Sequence, residues 1–151
     1  MMKLSYFKKQ SGFTLIELLV VLAIIGILSS VGVPSYNKFI EHGRFSQATN
    51  DLYNAYRFAR AEAIKTSSPM TLQPKTGGWA NGWEVVSSGG GTLLSVRAPH
   101  NTVYISGNII TVFGRGSVSL ASATTSLTIS SAQRTLSICI LQSGQSKKGG
   151  C

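Results

Sequence analysis

The chain has 151 residues, a formal net charge of +9 and an apolar fraction of 43%. This length allows one small globular domain and an additional element, because a single core of about 100–150 residues is the common size. With 5 acidic residues and 2 isolated histidines, the chain has little material for a catalytic acid–base pair or a metal cluster, so we expect neither an enzyme nor a cofactor. The basic excess favours anionic partners such as nucleic acid or acidic lipid, although a solvated basic surface accounts for it equally well.

A long apolar segment follows the short basic N-terminus. Residues 13–33 are apolar apart from Glu17 and a few small hydroxyl side chains, and the segment has the length of a membrane span. An ionised carboxylate inside hydrocarbon is costly unless a second group pairs with it. An uncleaved signal anchor that holds the N-terminal lysines in the cytoplasm is compatible with the pattern, but it leaves Glu17 unexplained.

Beyond Pro34 the helical period continues, but only one face remains apolar. Most charged residues fall elsewhere on the helical wheel. The pattern predicts one helix from Phe13 to about Lys65 that bends at Pro34, with its second half packed on a sheet. The apolar residues that recur at three- and four-residue steps are Phe45, Ala48, Leu52, Ala55, Ala59 and Ala63.

Short β-branched or alternating runs follow from Met70 onward, and they predict antiparallel strands. The predicted strands comprise residues 70–73, 83–88, 92–98, 102–106, 109–113, 117–122, 126–130 and 135–141. The glycine run at 89–91 lacks the lysine of a phosphate-binding loop and predicts a hairpin turn. The Ser/Thr-rich stretch 117–131 alternates apolar and polar residues, which favours an edge hairpin over a linker.

The stretch "GFTLIE", with Gly12, Phe13 and Glu17 ahead of an apolar helix interrupted by Pro34, closely resembles the N-terminus of type IV pilins and type II secretion pseudopilins. This resemblance implies that a prepilin peptidase cuts after Gly12 on the cytoplasmic side and N-methylates Phe13. It also implies the α+β type IV pilin fold, in which a long N-terminal helix packs on antiparallel sheets.

The same resemblance divides the chain into three parts. Residues 1–12 are the expected leader peptide, and residues 13–33 are the expected transmembrane helix, which later becomes the filament stem. Residues 34–151 are the expected periplasmic or extracellular domain, with an amphipathic helix to about residue 66 followed by strands. The implied partners are major and minor pilin subunits, the prepilin peptidase and, before assembly, the bacterial inner membrane, with the pilus or cell surface as the final location.

The resemblance also implies a role for the carboxylate of Glu17 in the apolar segment. In a helical array of such subunits, the carboxylate of Glu17 can neutralise the N-terminal amine of a neighbour that would otherwise be stranded in an apolar bundle. We therefore expect Glu17, together with the Pro34 interruption, to act in assembly by selecting the axial register.

Two stretches of the expected globular domain narrow the choice of family. Residues 50–66 and 77–86 resemble the FimT/FimU-like minor pilins and the related H-type pseudopilin. This likeness makes Trp79 and Trp83 expected core or hairpin anchors. It implies a minor pilin that enters or primes the pilus, and the alternative is an H-type minor pseudopilin of a type II secretion system.

The C-terminal tail bears on a possible nucleic-acid partner. FimT-like pilins that bind DNA in natural transformation carry a C-terminal Gly-Arg-x-Arg, whereas this chain has Gly144, Gln145, Ser146 and Lys147. Lysine still neutralises a phosphate but lacks the fixed fork of arginine donors. The candidate contacts for DNA, bound without sequence preference, are Lys147, Lys148 and Arg134; a merely solvated basic tail is the alternative.

The two cysteines of the chain, Cys139 and Cys151, suit an exported protein with one disulfide. Such a bond would pin the lysine-glycine tail to the sheet. A pair of free thiols is the alternative.

Overall fold

A computed structural model of the chain describes residues 12–119 and 124–151. Within these residues, helix α1 (Leu15–Thr66) is followed by eight strands, with one turn of 3-10 helix at Trp79–Asn81. The strands are β1 (Met70–Pro74), β2 (Trp83–Ser87), β3 (Thr92–Val96), β4 (Tyr104–Gly107), β5 (Ile110–Val112), β6 (Thr124–Ser130), β7 (Thr135–Leu141) and β8 (Ser146–Lys148). This arrangement confirms the predicted fold class of one long helix on antiparallel sheets.

The chain divides into two compact units, with the boundary between Phe39 and Ile40. In the N-terminal unit the hydroxyl of Thr14 accepts the backbone N–H of Glu17 at 3.3 Å, which caps the start of α1. Pro34 lies inside the helix, where it removes one backbone donor. By length and composition, α1 could cross a membrane.

The C-terminal unit, Ile40–Cys151, contains two four-stranded sheets. The strand order is β3-β2-β1-β5 in the first sheet and β4-β6-β7-β8 in the second, and all of these pairs are antiparallel. Between β2 and β3 the N–H of Gly90 donates to the carbonyl of Ser87 at 2.9 Å with a φ of 82°, so the predicted turn at the glycine run is confirmed.

One hydrophobic cluster joins α1 to both sheets. All six helix positions predicted to be apolar and packed are buried, and Thr49 and Tyr56 are buried beside them. The second sheet contributes residues such as Leu127 and Ile138, which pair directly across β6 and β7. Trp83 is 1% exposed, and the indole N–H of Trp79 donates to the carbonyl of Gly107 at 3.0 Å, which confirms both tryptophans as anchors.

Two predictions about the strands after Val112 are wrong, and a third lies partly outside the described residues. Strand β6 is not part of an edge hairpin, because it lies between β4 and β7 and fully buries Leu127 and Ile129. The predicted strand 117–122 lies partly outside the described residues, and in its described part only Val118 forms a bridge, to Val112. The stretch 135–141 is also not the last strand, since β8 pairs with it.

Candidate functional site

The N-terminal half of α1 exposes its apolar side chains on every side. Each residue from Gly12 to Phe39 is exposed, and Phe13 keeps 85% of its surface accessible. The carboxylate of Glu17 lies on this surface in the first turn of α1 and forms no ion pair among the described residues. Such a surface is stable only when lipid or other protein covers it.

A second candidate site lies in the C-terminal unit, in a groove of about 790 Å³ between α1 and the β7–β8 hairpin. We call it the α1–β8 groove. Its polar lining comes from Tyr53, Tyr56, Arg57 and Arg60 of the helix and from Gln145, Ser146 and Lys147 of the hairpin. No Asp or Glu lines it in the described chain, so the groove carries an uncompensated positive charge.

The structure brings two of the three predicted cationic residues to this groove. Lys147 lines it directly, while Lys148 extends over the Tyr53 ring, with Nζ 5.1 Å from the ring centroid, and donates to Oδ1 of Asn50 at 2.6 Å. Arg134 does not join them: it precedes β7, and it lies four residues before Ile138, the partner of Lys148. At about 3.3 Å per residue this separation is roughly 13 Å along the strand.

Two helix side chains hold the β7–β8 turn against α1. The hydroxyl of Tyr56 donates to the carbonyl of Gly144 at 2.7 Å. Arg60 donates to the carbonyl of Gly116 at 3.2 Å and to that of Ser143 at 3.4 Å. Gly144 has a φ of 78°, and a Cβ there would collide with the carbonyl of Gly116, so the close approach requires glycine.

Tyr56 has a strongly shifted pKa at this site. Burial raises the pKa of Tyr56 to about 12, although the nearby Arg60 charge acts in the opposite direction. The phenol therefore remains protonated at neutral pH and can donate its hydrogen bond to Gly144.

The tail is also tied covalently. Cys139 in β7 and Cys151 form a disulfide, which closes the segment that contains β8. The lysines consequently lie on a strand with two anchors, the β7 ladder and the disulfide, rather than on a free tail.

Sequence reasoning missed the helix side of the groove. Arg57 is exposed, and its guanidinium carbon lies 5.9 Å from the Tyr53 ring centroid. Tyr53 and Arg57 lie one helical turn apart on one side of α1, and Tyr56 and Arg60 lie one turn apart beside them. This repeated Tyr–Arg spacing is a signal in the sequence that could have indicated the surface. The arrangement can bind an anion by charge, and it offers no nucleophile with an adjacent base among its lining residues.

Comparisons with known proteins agree with this architecture. The family described as type II transport protein GspH matches residues 48–144, and the prokaryotic N-terminal methylation motif matches residues 7–33. The family match thus ends at Gly144, just before the basic tail.

Similar sequences include a fimbrial protein of Moraxella nonliquefaciens, 43% identical over 42% of this chain and 36% of its own length. Fimbrial protein Q of Moraxella bovis is 35% identical over 57% of this chain and 54% of its own length. The matches therefore span about a third to a half of these curated relatives.

Among solved structures, the type IV minor pilin FimU of Pseudomonas aeruginosa aligns with a TM-score of 0.63. The alignment covers 74% of this chain and 92% of that one at 18% identity, so it demonstrates a shared fold. Taken with the family match over residues 48–144, these findings establish that the chain belongs to the GspH family and has the type IV pilin fold.

Proposed function

We propose that this chain is a minor pilin, anchored in the inner membrane by the apolar half of α1 until it enters a type IV filament. The observation that carries the proposal is the exposed apolar surface of the N-terminal half of α1, most of which lies within the methylation-motif match over residues 7–33. Lipid covers this surface before assembly, and the corresponding helices of other pilin subunits cover it afterwards.

Processing is the step that makes the stem available. We propose that a prepilin peptidase cuts between Gly12 and Phe13 and methylates the new amine, leaving residues 13–33 on the mature chain. The positive amine then faces the carboxylate of Glu17 on a neighbouring subunit, and misaligned neighbours are rejected because their charges would be buried unpaired.

Mass spectrometry of the chain from cells with a prepilin peptidase tests this step. We expect an N-methylated Phe13 as the first residue. The control is Gly12→Val, which should block cutting without disturbing packing, because a Cβ at Gly12 meets no atom within 4 Å. An N-terminus at Met1 in the parent chain, or one after the apolar segment near Ser30, contradicts the proposal.

Assembly into a type II secretion pseudopilus is the alternative for the same stem, since the family description refers to that system. The relatives described as fimbrial proteins favour the pilus. Recovery of the mature chain in sheared type IV pili supports the pilus assignment, whereas incorporation only beside type II secretion pseudopilins supports the alternative.

We further propose that the chain contacts DNA through Lys147 and Lys148. The supporting observation is the absence of acidic residues along the groove that Lys147 lines. Each phosphate contact contributes about −0.9 to the slope of log K against log salt for duplex DNA, so two lysine contacts should give weak binding with a slope of about −1.8.

The DNA proposal is tested by titrating the full chain in nonionic detergent with a short duplex at about 50 mM salt. We expect Lys147→Ala/Lys148→Ala to lower the affinity and to flatten the salt slope. Equal binding by the parent chain and the double variant would defeat the proposal and leave the assembly role untouched.

A further inference from the structure

The four cationic side chains around the α1–β8 groove differ in the partners that they already contact. Arg60 donates to two backbone carbonyls, and Lys148 donates to Asn50 and lies against Tyr53. Among the described residues, Arg57 and Lys147 donate no side-chain hydrogen bond to a protein acceptor and form no ion pair. Both are exposed, and both line the groove, one from the helix and one from β8.

The geometry points to Arg57 and Lys147 as paired phosphate contacts on opposite sides of the groove, with helix α1 supplying half of the nucleic-acid surface. This inference rests on the proposed DNA contact. Arg60 is a positioning residue in this arrangement, because its donors hold the hairpin in place. Lys148 remains the second lysine contact of the DNA proposal, beside the Tyr53 ring.

The groove reads the backbone of the nucleic acid rather than its bases. Tyr56 has no exposed surface, and Tyr53 is half-buried with Arg57 at 5.9 Å and Lys148 at 5.1 Å from its centroid. A base that stacked on Tyr53 would compete with these cations for the ring, which is unfavourable where a cation–π contact is lost. Phosphates can approach the exposed cationic groups of Arg57 and Lys147 without such a loss, and each strand of a duplex carries one phosphate per about 3.4 Å of helix axis.

Single-residue variants of the full chain in nonionic detergent test the assignment, with fluorescence anisotropy of a labelled duplex as the readout. We expect Arg57→Ala to weaken binding between about threefold and about tenfold at 50 mM salt, and to reduce the salt slope by about 0.9. Lys147→Ala should do the same, and Arg57→Lys should retain most of the binding.

Arg97→Ala is the matched control, because it removes the same charge from an exposed arginine beside β3, in a different groove. It should bind duplex as the parent chain does. Thermal unfolding of each variant checks folding, and Arg57→Ala should leave it unchanged because the side chain is exposed on a helix that tolerates alanine.

The outcomes separate this inference from the DNA proposal. Loss of binding in the double lysine variant with full binding by Arg57→Ala overturns the helix contact and leaves the DNA proposal standing. Absence of duplex binding by the parent chain defeats both.

Two further binding experiments test which ligand the groove recognises. A single strand of mixed sequence and one of uniform sequence should bind alike, with a slope of about −0.7 per contact; a strong base preference overturns backbone reading. Vesicles of phosphatidylglycerol present lipid phosphates, and if Arg57→Ala weakens binding to them but not to duplex, the groove is a lipid site and the inference is wrong.

Discussion

Glu17 occupies the first turn of α1, three residues after the Thr14 cap that accepts its N–H. Two physical roles meet at this position. A carboxylate in the first turn interacts favourably with the helix dipole, and Thr-x-x-Glu is the pattern of a capping box. The same carboxylate is the proposed partner for the amine of a neighbouring subunit.

Substitution separates these roles. Glu17→Ala should preserve or improve membrane insertion, because the helix becomes more apolar, and should impair incorporation into filaments by leaving the partner amine unpaired. Glu17→Gln retains the capping geometry without the charge, so it should also fail to incorporate. The measurement is the amount of each variant in sheared pili relative to the membrane fraction, and normal incorporation of the glutamine variant would show that capping suffices.

Tyr56 holds the β7–β8 turn through a hydrogen bond that requires its phenol proton. Its pKa is about 12 in the folded chain, against 10.0 for the ordinary side chain. The folded state therefore holds the phenol proton more tightly than the unfolded chain does. The stabilisation from protonated Tyr56 is fully present below pH 10 and is lost as the pH rises through 12.

We expect the free energy of unfolding to fall over this alkaline range. Tyr56→Phe should remove the part of this fall that comes from ionisation of Tyr56. At neutral pH the same variant should lose about 1 kcal/mol, because Gly144 loses its donor. Chemical denaturation of both proteins at a series of pH values provides the measurement. An identical pH dependence in the two proteins would contradict the assignment.

At the scale of elements, β8 is the least secure part of the second sheet. It has three residues and pairs with β7 alone, at the edge of the sheet. The Tyr56 and Arg60 contacts reach the turn before it, and the disulfide holds the chain after it.

Reduction of Cys139–Cys151 should therefore loosen β8 more than the rest of the fold. The closed loop is short, and its opening should cost about 3 kcal/mol at most. Hydrogen exchange followed by mass spectrometry should reveal faster exchange after residue 144, with β1 and β6 unchanged. A uniform increase across both sheets would indicate that the bond stabilises the whole core instead.

At the scale of the molecule, every core residue that the structure describes belongs to the C-terminal unit, since the first buried position is Phe45. Between Gly12 and Phe39 the N-terminal unit contributes exposed apolar surface and no core. Stability of the fold and the proposed attachment to lipid or filament thus involve different parts of the chain.

This division predicts that a chain beginning at Ile40 folds without the stem. Its thermal unfolding should be cooperative, with a midpoint close to that of the C-terminal unit in the full chain in detergent, because all the removed residues from Gly12 to Phe39 are exposed. Circular dichroism in the near ultraviolet, which reports the packed Trp79 and Trp83, is the measurement. A fragment without this signal would show that the stem is needed for folding.

Local patterns in the sequence determined most of the fold. The apolar run, the one-faced helical repeat from Phe45 to Ala63 and the alternation in β1, β2, β6 and β7 each depend on neighbours a few residues apart, so they can be read from the chain directly. The processing and assembly roles of Gly12, Phe13 and Glu17 came from the resemblance, and they stay predictions.

Only the tertiary structure decided the groove and the position of its charges. Tyr56 and Gly144 are 88 residues apart in sequence, and no local pattern indicates that they meet. Strand β8 is too short and too rich in lysine to be recognised without its β7 partner. The β7–β8 register places Lys148 opposite Ile138, four residues from Arg134, and the docking of α1 beside β8 brings Arg57 to the same groove as Lys147. The physical reason is that strand register and helix docking are set by the burial of one shared core, which involves residues from the whole C-terminal unit at once.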